Sequence, residues 1–432
     1  MAGESISIFW FRRDLRLDDN TGLYKALASG EKILPVFIFD PNILDELPKD
    51  DARVTFIVEL LKGIQKELKR HDRSLAVFHD NAEKVFLKLV KEYTISTVYT
   101  NHDYEPYAQK RDKAIHQLLS DNNVEFKTFK DQVVFEKDEV VKDDGAPYVV
   151  YTPYMKRWKE RFDKEGMKQH HIEVKADLLI THTYPFLSLK DIGFTASTIK
   201  PAPFDVSSSV IDNYKETRDF PATEGTSHLS PYLRFGAVSI RQMVKKALES
   251  KGDTFLNELI WREFFMQILW HFPETVTKSF RPKYDNVKWR YNESEFKAWC
   301  EGKTGYPMVD AGMRQLNATG FMHNRVRMVV ASFLCKHLLI DWRRGEAYFA
   351  EKLLDYEQSS NIGNWQWASG GGVDAAPYFR IFNPEEQLKK FDKNLEYIKK
   401  WVPEFQELDY RTIVDHKEAR ERALKVYKEA VS

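Results

Sequence analysis

The sequence predicts an α/β domain with a Rossmann-like parallel sheet, followed by an all-α domain. Three observations predict it. Over residues 1–132, short apolar runs alternate with amphipathic helical patterns. After residue 210 the strand-like runs stop and helical periodicity continues to the end. The chain has 432 residues, more than one core holds at about 100–200 residues per domain. The predicted division is a first domain at 1–132, a connector at 133–209 and a helical domain at 210–432.

The elements follow in order. SISIFWF (Ser5–Phe11), ILPVFIF (Ile33–Phe39), SLAVF (Ser74–Phe78) and ISTVYT (Ile95–Thr100) are short runs rich in β-branched and aromatic residues, as strands require. VEFKTF (Val124–Phe129) is a weaker fifth. Between them, Ala52–Lys69, Ala82–Glu92 and Ala108–Ser120 repeat apolar residues at helical spacing. This alternation implies a parallel sheet with helices on both faces. The first strand is followed by FRRDLRLDDN and not by a G-x-G-x-x-G turn, which argues against a standard dinucleotide site there. The stretch Asp177–Ser209 is richer in Pro, Ser and Thr and reads as connector. Beyond it IRQMVKKALES, FLNELIWREFFMQILWHF, GYPMVDAGMRQLNATG and NRVRMVVASFLCKHLLIDW all read as helix.

Composition narrows the function classes. Sixty-five basic residues balance sixty-five acidic ones, so any nucleic-acid surface must be a local basic groove. Two cysteines, Cys300 and Cys335, exclude a disulfide framework and fit a reducing compartment. The N-terminus lacks the charged and apolar blocks of a secretory leader, and no apolar run reaches the ~18 residues of a membrane span. The expectation is a cytoplasmic protein without a membrane partner. No metal-ligand pattern stands out. Aromatic content is 14%, which implies large aromatic cores.

Four constellations lie in the helical half. TSHLS (Thr226–Ser230) offers hydroxyls and backbone N–H groups near a helix start, which suit a phosphate. A helix cap alone also explains it. ELIWREFF places Glu258, Trp261, Arg262 and Phe265 on one helix face, and core faces rarely mix two charges with an indole; interhelical salt bridges explain the two charges equally well. MHNRVRM sets Asn324 and Met328 one turn apart, flanked by Arg325 and Arg327; Asp355 is a candidate partner for Arg327. The fourth is LLDYEQSSNIGNWQWASGGGVDAAPYFRIFNP. In it Trp365 and Trp367 are two positions apart, so on a helix they point about 200° apart and cannot share a face. Structural explanations account for each residue singly and for the combination poorly.

With these motifs the chain resembles the photolyase/cryptochrome family, most closely class I cyclobutane pyrimidine dimer photolyases. The resemblance runs through FWFRRDLRLDDN, YKETRDFPATEGTSHLS, ELIWREFF, EGKTGYPMVDAGMRQLNATGFMHNRVRM, LLIDWRRGEAYF, NWQWASGGGVDAAPYFRIFNP and IVDHKEARERAL. Motifs of this length in this order are specific.

The resemblance implies FAD, active as FADH⁻, held in the helical domain. It places Tyr214 and Thr226, Ser227, His228, Leu229 and Ser230 at the flavin phosphates and ribityl side, with Arg262 against the flavin. It pairs Arg327 with Asp355 beside the ring system and sets Asn361 opposite flavin N5, where an amide accepts from N5–H. Glu357 departs from the Asp usual in photolyases. Trp365, Trp342 and Trp289 match a chain that carries an electron to photoexcited flavin. Trp261 and Trp367 match the two walls of a substrate pocket for a flipped pyrimidine pair. Glu258 and Asn324 match groups that bind the base edges, and Met328 packs near the cyclobutane ring. Arg218, Arg325, Arg380 and Gln387 match the DNA-facing rim. The implied partner is DNA containing pyrimidine dimers, the implied reaction light-driven dimer splitting, and a monomer is expected.

Other readings are a (6-4) photolyase, a cryptochrome-type photoreceptor and a flavoprotein that only marks damage. Asn324 and Met328 stand where (6-4) chemistry needs histidines. Asn361 and the complete Trp261/Trp367/Glu258 pocket favour repair over signalling. In folate-binding relatives an Asn-Glu pair stands where this chain has Tyr107 and Ala108, and a Cys-Lys contact where it has Thr277 and Lys278. A methenyl-folate antenna in the usual mode is therefore not expected; a deazaflavin, a second flavin or no antenna remain.

Overall fold

The computed structural model describes residues 5–173 and 175–432. Residues 1–4, part of the stretch read for a leader, lie outside the described residues. Five parallel strands form one sheet: β1 (Ile6–Phe11), β2 (Lys32–Phe39), β3 (Ala76–His79), β4 (Ile95–Asn101) and β5 (Glu125–Phe129), in the order β3-β2-β1-β4-β5. All six residues of central β1 are buried, which explains its unbroken apolar run: helices cover both faces, so neither alternates with solvent. β1 pairs with β2 from Ile6↔Lys32 and with β4 from Ile6↔Ile95, the latter with a register shift after Ile6. Helices at Ala52–Lys69 and Ala82–Glu92 have the expected bounds, and the third runs Pro106–Asp121 with proline in its first turn.

The motif after β1 becomes a buried crosslink. Asn20 caps the helix Thr21–Ala28, which the periodicity had not marked, by accepting from Leu23 N. Asp131 receives Arg16 at 2.7 Å and Arg241 at 2.8 Å; Arg241 also bridges to Asp19 at 3.1 Å. Both aspartate side chains are fully buried. Burial alone would raise the Asp131 carboxyl, but Arg16 and Arg241 outweigh it and hold it at about 2.

The chain divides into two compact units whose segments interleave. The first comprises 1–136, 161–200 and 230–246, and the second 137–160, 201–229 and 247–432. Residues 230–246 therefore group with the sheet, although their periodicity is that of the helical half. The region expected as connector carries a helix, Tyr151–Glu165, that buries Tyr151, Tyr154 and Trp158. Trp158 donates Nε1–H to Glu263 at 2.7 Å inside the second unit.

In the second unit, NRVRMVVASFLCKHLLIDW reads as one helix but folds as three pieces. Helix Asn324–Ser332 passes into a π-turn at Phe333–His337, Leu339 adopts φ 52°, and a new helix begins at Trp342. The π-turn carries Cys335, Lys336 and His337 into the interior, where Lys336 donates to Ser369 O at 2.8 Å. No helix among the described residues is long and apolar enough to cross a membrane.

Arg241→Met should strip Asp19 and Asp131 of a buried partner and lower the stability of the sheet unit by about 3–5 kcal/mol in chemical denaturation at neutral pH. Equal stability of variant and parent would mean that the crosslink is dispensable.

Candidate functional site

The site is built around the helix Gln358–Ser369. That helix packs closely because two glycines leave room. A Cβ on Gly363 would lie 2.2 Å from the Phe265 ring, and one on Gly345 would lie 2.2 Å from Trp365. Gln366 anchors the helix from behind, accepting from Phe280 N at 2.8 Å and donating to Thr275 O and Lys278 O. Its far end closes on Gly370, at φ 98°.

Along this helix lies a recess. Arg327, Asp355, Glu357, Asn361 and Trp365, expected around a flavin, border it. Asn324, Met328 and Trp367, expected at a substrate, border the same recess. Trp365 is 2% exposed and Trp367 half-buried. Two side chains some 200° apart at about 100° per residue both border it.

The polar groups are held in fixed roles. Arg327 pairs with Asp355 at 2.9 Å and donates Nε–H to Met322 O at 2.7 Å. Arg262 pairs with Glu357 at 3.0 Å, and Ser360 Oγ donates to the same carboxylate at 3.2 Å. The extra methylene of Glu357 thus spans to the Thr254–His271 helix. Asn361 donates Nδ2–H to Glu346 Oε1 at 2.9 Å and Glu346 O at 3.1 Å. With its amide hydrogens committed, Oδ1 is left as an acceptor for a ligand. Glu346 was not foreseen; burial raises its carboxyl, against the Asn361 bond that lowers it.

Trp261 stacks face to face on Tyr151, 3.6 Å between centroids at 8°, and lies 5.5 Å from Phe265. Tyr151 sits in the region read as connector, so its stacking role escaped the sequence. Glu258 forms an ion pair with Arg218, which joins a residue expected at the base edges to one expected at the rim. Burial raises the Glu258 carboxyl, with Arg218 pulling the other way. Arg325 pairs with Asp219 at 2.8 Å. Tyr214 lies edge-on to Phe255 at 5.3 Å, and burial pushes its hydroxyl up to about 12.

Trp365 and Trp342, 2% and 1% exposed, share one buried cluster, and half-buried Trp289 packs against it. Trp365 meets Phe349 edge-on at 5.0 Å and Trp299 at 6.1 Å, a neighbour that the motifs did not mark. In the phosphate-type segment, His228 takes φ 50° and packs 4.8 Å from Phe321, Ser227 and Leu229 are buried, and half-buried Thr226 makes no side-chain hydrogen bond to a described residue. Ser230 opens the short helix Ser230–Arg234. Arg380 is exposed and Gln387 lies on the helix Pro384–Phe391.

The residues fit a flavin. A free amide acceptor and an arginine–carboxylate pair line an otherwise largely apolar wall of Ala331, Phe349, Leu353 and Ala368. This donor and acceptor set suits the heteroatom edge of a flat ring.

Comparison with known proteins points to one family. Residues 7–174 match the family model described as DNA photolyase, and residues 255–429 the one described as the FAD binding domain of DNA photolyase. A deoxyribodipyrimidine photo-lyase of Alkalihalophilus pseudofirmus is 36% identical, over 98% of each chain. A class III photolyase from Agrobacterium tumefaciens superposes with a TM-score of 0.87 at 34% identity, covering 100% of this chain and 98% of that one. An archaeal photolyase from Sulfolobus tokodaii, solved with two FAD molecules, gives 0.85 at 34%, covering 98% and 99%. The motifs read closest to class I, whereas the Agrobacterium structure is class III.

His323 caps the helix that presents Asn324, Arg327 and Met328, accepting from Arg325 N at 3.2 Å through Nδ1. Burial, only partly opposed by Asp219, lowers its imidazole from 6.5 to about 4. The unfolded chain then binds more protons across that window, so stability falls as pH drops through it, by on the order of 3 kcal/mol. His323→Asn keeps an acceptor at the cap and should flatten this loss in denaturation curves between pH 7 and 4. An unchanged profile would locate the acid sensitivity elsewhere.

Proposed function

The chain belongs to the DNA photolyase family, and from that premise we propose that it repairs cyclobutane pyrimidine dimers in DNA under blue light. One observation carries the reading: a single recess is bordered both by the flavin-type set Arg327, Asp355 and Asn361 and by the dimer-type set Asn324, Met328 and Trp367. The chemistry supplied by bound reduced FAD is a one-electron transfer to the dimer in the light, with the electron returned once two carbon–carbon bonds have split.

The chain's own residues bind, orient and shield. Asn361, oriented by Glu346, would offer its carbonyl oxygen to N5–H of a bound flavin. Arg327 and Asp355 would together hold the polar edge of the ring without adding net charge. Trp367, on the recess, and Trp261, on the face that Tyr151 leaves uncovered, would supply flat apolar walls for an extruded pyrimidine pair; photolyases are among the base-flipping enzymes for which this recognition is general. Glu258, whose carboxyl burial raises, holds a proton more readily than a surface glutamate. It can donate to a base carbonyl as negative charge develops there. Trp365, Trp342 and Trp289 are assigned to electron supply during photoreduction. Arg218, Arg325, Arg380 and Gln387 are assigned to the DNA-facing rim.

The second chromophore is assigned away from the usual folate mode. Tyr107 commits its hydroxyl to Asp40 at 2.5 Å, and Ala108 is buried. Thr277 and Lys278 use their carbonyls for Arg343 and Gln366.

The decisive experiment pre-reduces the flavoprotein, adds an oligonucleotide with one thymine dimer and follows absorbance near ~260 nm in blue light and in darkness. Recovery in the light alone is expected; none in either condition, despite bound reduced flavin and bound DNA, sinks the proposal. Trp261→Ala should weaken dimer binding by ~1–3 kcal/mol, the worth of a stacked base. Unchanged affinity would remove Trp261 from the pocket. Trp365→Phe should slow photoreduction of oxidised flavin yet spare repair by pre-reduced protein, and equal photoreduction rates would exclude it from the electron path.

A further inference from the structure

The helix that lends Asn324 and Met328 to the recess also borders a second cleft through Arg325. Its floor is Phe391, 6% exposed. The Arg325 guanidinium lies 4.3 Å from that ring's centroid and is clamped by Asp219. Phe220, 39% exposed, stands edge-on to Phe391 at 6.3 Å, and Phe382 also lines the cleft. Polar groups complete it: Lys215, Glu216, Gln387 and Lys390. The Gln387 Oε1 atom is buried and has no hydrogen-bond partner.

This mixture selects among ligands. A bare phosphate would face Glu216, Asp219 and a lone amide acceptor. A purely apolar segment would leave the lysines and the buried Oε1 unmatched. A nucleobase satisfies both sets, since its face stacks on phenylalanine and arginine, its amino edge supplies donors, and its phosphates meet lysine.

We propose that this cleft receives one purine from the strand opposite the dimer. The inference rests on the dimer-repair reading. When a pyrimidine pair leaves the duplex, the bases facing it lose their partners, and those bases are purines. Each purine carries an exocyclic amino donor, which Gln387 Oε1 and Glu216 can accept. Continuity supports the placement, because Asn324 and Arg325 are successive residues facing the two cavities. The cleft thus makes the orphaned strand part of the substrate.

The test uses the flavin-loaded protein in the dark with duplexes carrying 2-aminopurine opposite the dimer or beside it on the damaged strand. In the parent, fluorescence should rise on binding only for the opposite position, as that base leaves the stack. Phe220→Ala and Gln387→Leu should lose the rise. Phe220→Ala should bind the duplex about tenfold more weakly, the worth of one stacked base. Its affinity for the same dimer in a single strand should not change, because no opposite base exists there. A rise retained in both variants, a rise only beside the dimer, or equal loss of affinity for single and double strands would overturn the proposal. Light-driven repair of the single-stranded substrate reports separately on the dimer-repair reading, so failure of that reading is distinguishable from failure of the cleft.

Discussion

The candidate site depends on one packing constraint: the helix Gln358–Ser369 must lie against its neighbours without the width of a Cβ. Phe265 occupies the space that a side chain at Gly363 would need, and Trp365 the space above Gly345. Interiors are too dense to absorb such overlaps without shifts. The tight seat fixes the direction of every functional group on the helix. Asn361 meets Glu346, Trp365 enters the aromatic cluster, and Trp367 turns to the recess.

Charge is then distributed by pairing. Around the recess Arg327 meets Asp355 and Arg262 meets Glu357, so the wall has polar edges with little net field. Buried pairs of this kind are weak evidence of stability, because desolvation offsets their attraction. The Glu258–Arg218 pair differs in that burial raises the carboxyl against the pull of Arg218. In the sheet unit the same principle builds the Asp19–Arg241–Asp131–Arg16 crosslink from a motif that resembles a ligand loop only in its position after β1.

Much of this was legible in the sequence. All five strand runs form strands, and two helices, Ala52–Lys69 and Ala82–Glu92, begin and end where the apolar spacing does. The residues drawn from the last two constellations as flavin and substrate groups largely border one recess. Tyr151 and Glu346 were not legible, because one sits in a polar, aromatic helix with a weak apolar stripe and the other is an ordinary glutamate on a charged helix. Neither carries a local signal. The π-turn at Phe333–His337 is hidden for the opposite reason, since its residues continue a good helical pattern and only the burial of Lys336 and His337 distinguishes it.

The sequence by itself determined the strands, the longer helices and the residue types that meet at the site, because period and side-chain chemistry are local properties. Only the tertiary structure decided how segments interleave between units, which carboxylate orients Asn361, which ring covers Trp261, and that a second cleft opens beside Arg325. Those outcomes depend on contacts such as Trp158–Glu263 and Arg325–Asp219, 105 and 106 positions apart, and no spacing rule reaches across such distances.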